Sequence, residues 1–203
     1  NTPGATNKAV GEFTIGLILG LIRKIPIMIR NMKANIFDRL QGRELASLTL
    51  GVIGTGGIGK HVIRLARGFG STILASDIRE DVQFAQQFQV RYVSLDELLS
   101  QSDVVTIHCG LDENSRGMIG EEQLSRMKNT AYLVNTARGP IVDKQSLIRC
   151  LKAGKIAGAA IDPYEPFPCA PNDPLVQLDN VLPTSWSAFN TQEAVDAIGR
   201  TAV

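Results

Sequence analysis

The sequence predicts an α/β fold in which a doubly wound parallel sheet lies between two helical layers, giving three layers in the order α/β/α. Strand-like apolar runs alternate with helical stretches, a glycine-rich turn follows the first run, and no internal repeat interrupts the pattern. The 203 residues are 44% hydrophobic and 20% charged, which is sufficient for one full core. We therefore treat residues 1–203 as a single domain.

The first predicted element is a helix over residues 7–25. Its apolar side chains recur at helical spacing in two stripes, which are Val10, Phe13, Leu17, Leu21 and Ile25 on one side and Ile15, Ile18 and Ile22 on the other. Such a helix must be covered on two sides. Two alternatives stay open: both stripes pack on the chain's own sheet, or one stripe of this helical lead-in, residues 1–40, forms a homodimer interface.

The following elements repeat a strand–helix pattern. A buried strand is predicted at residues 48–54, a helix at 56–68 and a second strand at 72–76, which together make one βαβ unit. The remaining predicted elements are strands at 91–93, 103–108, 131–135 and 157–161 and a helix at 143–153. Five prolines between Pro163 and Pro174 predict an irregular loop.

Composition limits the class of partner. The net charge is +1 with acidic and basic residues interleaved, so neither nucleic acid nor an anionic membrane is an expected partner. No signal peptide or membrane span is recognised. The number of cysteines is odd, and their spacing does not match that of metal ligands; they are Cys109, Cys150 and Cys169. We expect a reduced, cytoplasmic protein with a small-molecule partner and no metal site.

A glycine-rich motif connects the first strand to the next helix. It consists of Gly54, Thr55, Gly56, Gly57, Ile58 and Gly59. In this context Gly54 can make the tight turn, Gly56 lets the backbone approach a pyrophosphate, and Gly59 permits close helix packing. The helix N-terminus then faces the phosphates, as in a Rossmann-type dinucleotide site. The alternative is the same turn without a nucleotide.

Asp77 is the predicted ribose-binding residue. It follows Gly59 by 18 residues, at the end of the second strand, where a carboxylate can accept hydrogen bonds from a ribose diol and repel a 2′-phosphate. This favours NAD over NADP, although Arg79 can soften the preference. The neighbouring Ile78 and the strand-end residues His108, Cys109 and Gly110 complete the predicted cofactor surface.

Spaced segments along almost the whole chain carry a family resemblance. Besides the glycine motif they are residues 1–4, 9–12, 42–45, 94–98, 102–105, 127–128, 133–139, 142–143 and 160–162. Together they resemble the NAD-binding domain of the D-2-hydroxyacid dehydrogenases, the group that contains D-3-phosphoglycerate and D-lactate dehydrogenases and glyoxylate/hydroxypyruvate reductases. The resemblance implies NAD(H) as cofactor and a small 2-hydroxy or 2-keto acid as substrate.

The resemblance also implies individual roles. Arg138 would bind the substrate carboxylate, a task that suits a planar guanidinium because it can bond both oxygens. Asp162 would hold the nicotinamide carboxamide, and Thr136 and Ala137 would lie along the nicotinamide end. The alternative for Arg138 is a structural arginine at a strand end.

The chain departs from the family at two positions. Trp186 stands where the proton-donating histidine is expected, and Phe167 where the glutamate that orients it is expected. An indole has no proton that titrates near neutral pH, so its presence should cost roughly 100- to 10,000-fold in rate. A shifted register that gives the glutamate role to Glu165 is the alternative.

Three functions follow from these observations. The first is an NAD-binding domain with impaired catalysis, in which Trp186→His with Phe167→Glu restores little activity because the family's separate substrate domain is expected to be missing. The second is an active NADH-dependent 2-keto acid reductase whose acid is water, Glu165, His108 or a missing domain. The third is a dinucleotide-sensing scaffold. Oxidation of NADH would support the second, and sedimentation that depends on NADH the third.

Overall fold

Seven strands form one parallel sheet in the computed structural model, which describes residues 4–201. They are β1 (Thr49–Ile53), β2 (Thr72–Ser76), β3 (Val90–Tyr92), β4 (Val104–Ile107), β5 (Tyr132–Asn135), β6 (Gly158–Ile161) and β7 (Val181–Pro183). Their spatial order is β3-β2-β1-β4-β5-β6-β7, with every neighbouring pair parallel. The order reverses between β1 and β4, which is where open α/β sheets place their ligands. The predicted fold class is confirmed.

Helices cover both faces of this sheet. They are α1 (Asn7–Ile22), α2 (Ile25–Lys33), α3 (Gly57–Phe69), α4 (Val82–Phe88), α5 (Leu95–Gln101), α6 (Glu121–Arg126), α7 (Lys144–Lys152) and α8 (Gln192–Thr201). Side chains of α1, α3 and α4 join the core on one face, and those of α5, α6 and α7 join it on the other. Alternate residues of β4 pack on opposite faces of the sheet: Val104 packs with α1, α3 and α4, and Val105 with α5, α6 and α7.

The predicted elements agree closely with the structure. The strand at 72–76 is confirmed residue for residue, and the other five strands and the helices at 56–68 and 143–153 agree within one residue at each end. The proline-rich stretch 163–174 contains no helix or strand, as predicted. The edge strand β7 was not predicted, because three residues that end in Pro183 give no recognisable strand period.

The predicted helix over residues 7–25 is wrong in its last turn. It ends at Ile22, and α2 begins after Lys24, whose φ of +56° is left-handed. The carbonyl oxygen of Ile22 accepts a hydrogen bond from the backbone N of Arg43 at 2.9 Å. Pro26 has no amide hydrogen to offer that oxygen, so a partner distant in sequence takes its place.

Packing within the chain covers both stripes of α1. Leu17 and Leu21 on one stripe and Ile18 and Ile22 on the other are all buried. For α1, the structure therefore favours the first alternative, burial on its own chain. The open apolar surface of the lead-in lies further along, on α2 and the residues that follow it.

Two further observations concern the ends of the chain and its hydropathy. Of the resemblance segment at residues 1–4, only Gly4 belongs to the described part of the chain. Among the helices within residues 4–201, none combines the length and apolarity needed to cross a bilayer.

Candidate functional site

The carboxyl ends of the central strands surround a cavity of about 570 Å³. This edge of the sheet is where a Rossmann-type fold binds its ligand. Most of the predicted site residues line the cavity, namely Ile58, His108, Cys109, Gly110, Thr136, Ala137, Arg138, Asp162 and Trp186. The structure thus brings together residues that are more than a hundred positions apart in the sequence.

A second, shallower cavity of about 540 Å³ lies beside the glycine-rich turn. Thr55, Gly56 and Asp77 contribute to its wall, together with Arg79. Ile78 follows Asp77 in the chain but is 97% exposed and lines neither cavity. The predicted site therefore has two parts, one at the end of β2 and one at the ends of β4, β5 and β6.

The three spaced glycines of the turn differ in what a Cβ atom would meet at each position. Gly54 has a φ of +88°, and a Cβ there would lie 2.6 Å from the backbone N of Cys109. A Cβ at Gly59 would overlap the carbonyl oxygen of Gly54. A Cβ at Gly56 would meet no atom within 4 Å, and its φ of −67° suits any residue. The fold thus requires Gly54 and Gly59 but leaves open space at Gly56, next to the first residue of α3. A pyrophosphate fits that space and the helix N-terminus.

Asp77 is held in place by the turn itself. Its carboxylate accepts hydrogen bonds from the backbone N of Thr55 at 2.5 Å, from the Thr55 hydroxyl at 2.9 Å and from the backbone N of Arg79 at 2.9 Å. Burial raises the pKa of Asp77, but these hydrogen bonds outweigh it and hold the pKa below its ordinary value. Asp77 is consequently ionised at neutral pH.

The wall at the end of β5 is fixed by a network that sequence reasoning missed. Thr14 of α1 donates its hydroxyl hydrogen to the carbonyl oxygen of Val10 at 2.7 Å, so the Thr136 hydroxyl donates to Thr14 at 2.9 Å. Asn135 accepts a hydrogen bond from the backbone N of Ala137 at 3.0 Å. Thr14 gave no signal in the sequence, because a threonine inside a helix has no recognisable role until its partner is known.

The side chain of Arg138 extends from this wall. Its side chain is exposed, and one guanidinium nitrogen donates to the carbonyl oxygen of Ala137 at 2.7 Å. Within residues 4–201 no carboxylate lies at ion-pair distance from it. A guanidinium in this state can accept a ligand carboxylate without first giving up a protein partner.

Asp162 organises the loop that follows β7. It is 1% exposed, and its carboxylate accepts hydrogen bonds from the Thr184 hydroxyl at 2.7 Å and from the backbone N atoms of Ser187 and Ala188 at 2.9 and 3.1 Å. Its carbonyl oxygen accepts from the backbone N of Trp186 at 3.1 Å. These bonds hold Trp186 at a left-handed φ of +54°.

Phe167 and Trp186, at the positions where the resemblance implies an acid pair, contact each other. The rings of Phe167 and Trp186 meet edge to face, with centroids 5.3 Å apart and an interplanar angle of 79°. Glu165 lies elsewhere, on a separate cavity of about 360 Å³ shared with Lys144. Phe167 and Trp186, the pair given by the unshifted register, are thus in contact, with Trp186 on the larger cavity, whereas Glu165 lines a different cavity.

Neither histidine is placed to supply a proton as an imidazolium ion. The Nε2 atom of His108 pairs with the Thr106 hydroxyl at 2.9 Å, and its Nδ1 is buried without a partner among the described residues. Burial lowers the pKa of His108 to about 3, so the ring is neutral at physiological pH. His61 faces Gly11 at the contact between α1 and α3, outside the cavity.

Comparisons with known proteins agree with this geometry. A family model described as "D-isomer specific 2-hydroxyacid dehydrogenase, NAD binding domain" matches residues 15–188. A glyoxylate reductase from Thermofilum pendens is 42% identical over 202 residues, which cover 96% of this chain and 59% of that protein. A D-3-phosphoglycerate dehydrogenase from Methanocaldococcus jannaschii is 40% identical over 98% of this chain and 38% of its own length.

A solved structure shows the same architecture. The D-lactate dehydrogenase from Aquifex aeolicus, crystallised with NAD and lactic acid, superposes with a TM-score of 0.92 at 32% identity. The match covers 98% of this chain and 65% of that one. The present chain thus spans less than two thirds of the length of these relatives.

The buried state of His108 leads to a pH prediction. Because its folded pKa of about 3 lies below the ordinary 6.5, the neutral ring stabilises the fold above pH 6.5, and that stabilisation is lost as the pH falls from 6.5 towards 3. Proton NMR of the His108 ring should show no titration between about pH 5 and 8. An inflection near the ordinary histidine pKa would contradict this. The His61 ring can be titrated in the same NMR experiment for comparison, since burial lowers its pKa as well.

Proposed function

Because the chain belongs to the D-isomer specific 2-hydroxyacid dehydrogenase family and carries its NAD-binding domain, we propose that it binds NAD(H) with the residues described above. The pyrophosphate is assigned to the open space at Gly56 and the N-terminus of α3. The adenosine ribose is assigned to the ionised carboxylate of Asp77, which favours NAD over NADP. This division follows the two cavities.

The nicotinamide end is assigned to the larger cavity. Thr136, Ala137 and Asp162 line it, and so does His108, whose ring Nδ1 is buried without a partner among residues 4–201. When bound, the nicotinamide supplies hydride exchange with a carbon atom of the substrate. Arg138 orients that substrate by bonding its carboxylate, so the chain's own contribution at this end is positioning.

We further propose that proton transfer is impaired. Reduction of a 2-keto acid adds a hydride to carbon and a proton to oxygen, and the second step needs an acid beside the oxygen. The observation that carries the proposal is the edge-to-face contact of Phe167 with Trp186 at the corner where the family resemblance implies a glutamate and a histidine. Neither an indole nor a phenyl ring carries a proton that titrates near neutral pH, so this pair cannot act as the acid.

Impaired proton transfer predicts slow turnover. With NADH and glyoxylate, pyruvate or hydroxypyruvate, the chain should oxidise NADH roughly 100- to 10,000-fold more slowly than the Thermofilum pendens glyoxylate reductase assayed beside it. Steady-state absorbance of NADH measures the rate. Any residual rate should show no inflection near the pKa of a histidine. Turnover equal to that of the relative would overturn the impaired-catalysis proposal.

Two glycine variants separate cofactor binding from folding. Gly56→Ala should leave the melting temperature unchanged but weaken NAD⁺ binding about tenfold in calorimetry, since the new methyl group occupies the space assigned to the pyrophosphate. Gly59→Ala is the matched contrast, because its methyl group overlaps the Gly54 carbonyl and should destabilise the fold by about 1–3 kcal/mol. Unchanged affinity in Gly56→Ala would refute the placement of the pyrophosphate.

We also propose that the chain forms a homodimer through α2 and the segment after it. No residue of α2 is buried, although a nine-residue helix is marginal without tertiary packing. Large exposed hydrophobic side chains gather on this stretch, namely Ile25, Ile29, Met32, Ile36 and Phe37. A second copy would cover the same surface on both protomers, as two-fold symmetry requires.

The dimer is tested by reversing the polarity of this surface. Ile29→Glu combined with Met32→Glu should convert the sedimentation coefficient from that of a dimer to that of a monomer, because the charges cannot be buried unpaired. Phe69→Glu, a change at a 47% exposed position at the end of α3, is the control and should remain dimeric. A wild-type chain that sediments as a monomer would exclude the dimer.

The proposed setting is a reducing, cytoplasmic compartment. Its support is the state of Cys109, Cys150 and Cys169, which are all free thiols. Proteins of oxidising compartments more often pair their cysteines in disulfides.

A further inference from the structure

An aromatic wall borders the larger cavity. Trp186 and Phe189 line it, and Phe167 meets the Trp186 ring edge to face. The three side chains remain 39%, 39% and 51% exposed, respectively. Aromatic residues make up only 5% of this chain, so three of them at one cavity mouth is a local concentration of apolar surface.

The same cavity contains a cation that has no acidic partner within residues 4–201. Arg138 lines it, and the only hydrogen bond that the structure gives its guanidinium goes to the backbone, at the carbonyl oxygen of Ala137. A guanidinium binds a carboxylate through paired hydrogen bonds, and aromatic rings bind another ring edge to face or stacked. A cavity with both features is chemically complementary to a molecule that carries a carboxylate and an aryl group.

We propose that this corner selects 2-oxo or 2-hydroxy acids with an aryl side chain, whose ring contacts Trp186 and Phe167 while the carboxylate binds Arg138. The inference rests on the proposed function for the carboxylate and the cofactor, and it adds the class of side chain. Small acids such as lactate carry no aryl ring. Their binding therefore lacks the apolar surface area that an aryl ring would bury against these side chains.

The backbone that carries the wall is restrained. The backbone N of Trp186 donates a hydrogen bond to the Asp162 carbonyl oxygen. The Asp162 carboxylate accepts hydrogen bonds from the backbone N atoms of Ser187 and Ala188, which follow Trp186. Phe167 lies between Pro166 and Pro168, which restrict the backbone on either side. Rings on a restrained backbone lose less conformational entropy on binding than rings on a mobile loop, so more of the contact energy is available as affinity.

Calorimetry with two acids tests the proposal. D-phenyllactate and D-lactate are titrated into the chain saturated with NAD⁺ and, separately, into the chain without cofactor. D-phenyllactate should bind about tenfold more tightly than D-lactate. Equal affinities, or no binding of either acid, in both titrations would overturn the proposal. A separate titration of NAD⁺ reports on the proposed function, so failure of the cofactor site and failure of aryl recognition give different results.

Variants then locate the preference. Trp186→Ala and Phe167→Ala should lower the affinity for D-phenyllactate to that for D-lactate, whereas Arg138→Gln should weaken both acids. Phe69→Ala removes an exposed ring outside the cavity and should preserve the preference. Thermal unfolding of each variant checks that the fold is intact. A preference that survives in both Trp186→Ala and Phe167→Ala would refute the aromatic wall as its source.

Discussion

The close contact between the first turn of α3 and the end of β1 is the constraint on which the site depends. No Cβ can be accommodated at Gly59 beside the Gly54 carbonyl oxygen, so α3 starts directly against the strand end. Helices α1 and α3 then approach each other through one glycine on each, since a Cβ at Gly57 of α3 would overlap Asn7, and a Cβ at Gly11 of α1 would crowd His61. Through Thr14, α1 in turn fixes Thr136 at the end of β5. One backbone contact thus sets the geometry of both cavities.

The hydrogen bonds that position the loop after β7 are independent of the side chain that the loop presents at position 186. Asp162 positions the loop after β7 with backbone and hydroxyl hydrogen bonds, which do not depend on the side chain at position 186. The same loop can therefore present a titratable ring or an indole. A fold of this family does not by itself establish turnover, because activity depends on the few side chains at the cavity mouth.

The sequence predicted most of the sheet because buried parallel strands are continuous apolar runs, and β1, β4 and β5 have that character. It could not predict the end of α1 at Ile22, since the bond from Arg43 that satisfies this terminus comes from a separate segment. The Thr14–Thr136 contact could not be predicted for the same reason, because the partners are 122 positions apart in the sequence. The glycine motif and Asp77 were recognisable because their roles are local, whereas the neutral state of His108 depends on burial by the whole fold.

The most direct test of the central claim, an intact dinucleotide site beside an aromatic corner, is a titration of NADH followed by the emission of Trp186. Trp186 is the chain's single tryptophan and lines the cavity assigned to the nicotinamide, so a reduced nicotinamide bound there should quench it by energy transfer. We expect saturable quenching with a matching calorimetric isotherm. The absence of both signals would contradict the account, because the cofactor site would then not be competent.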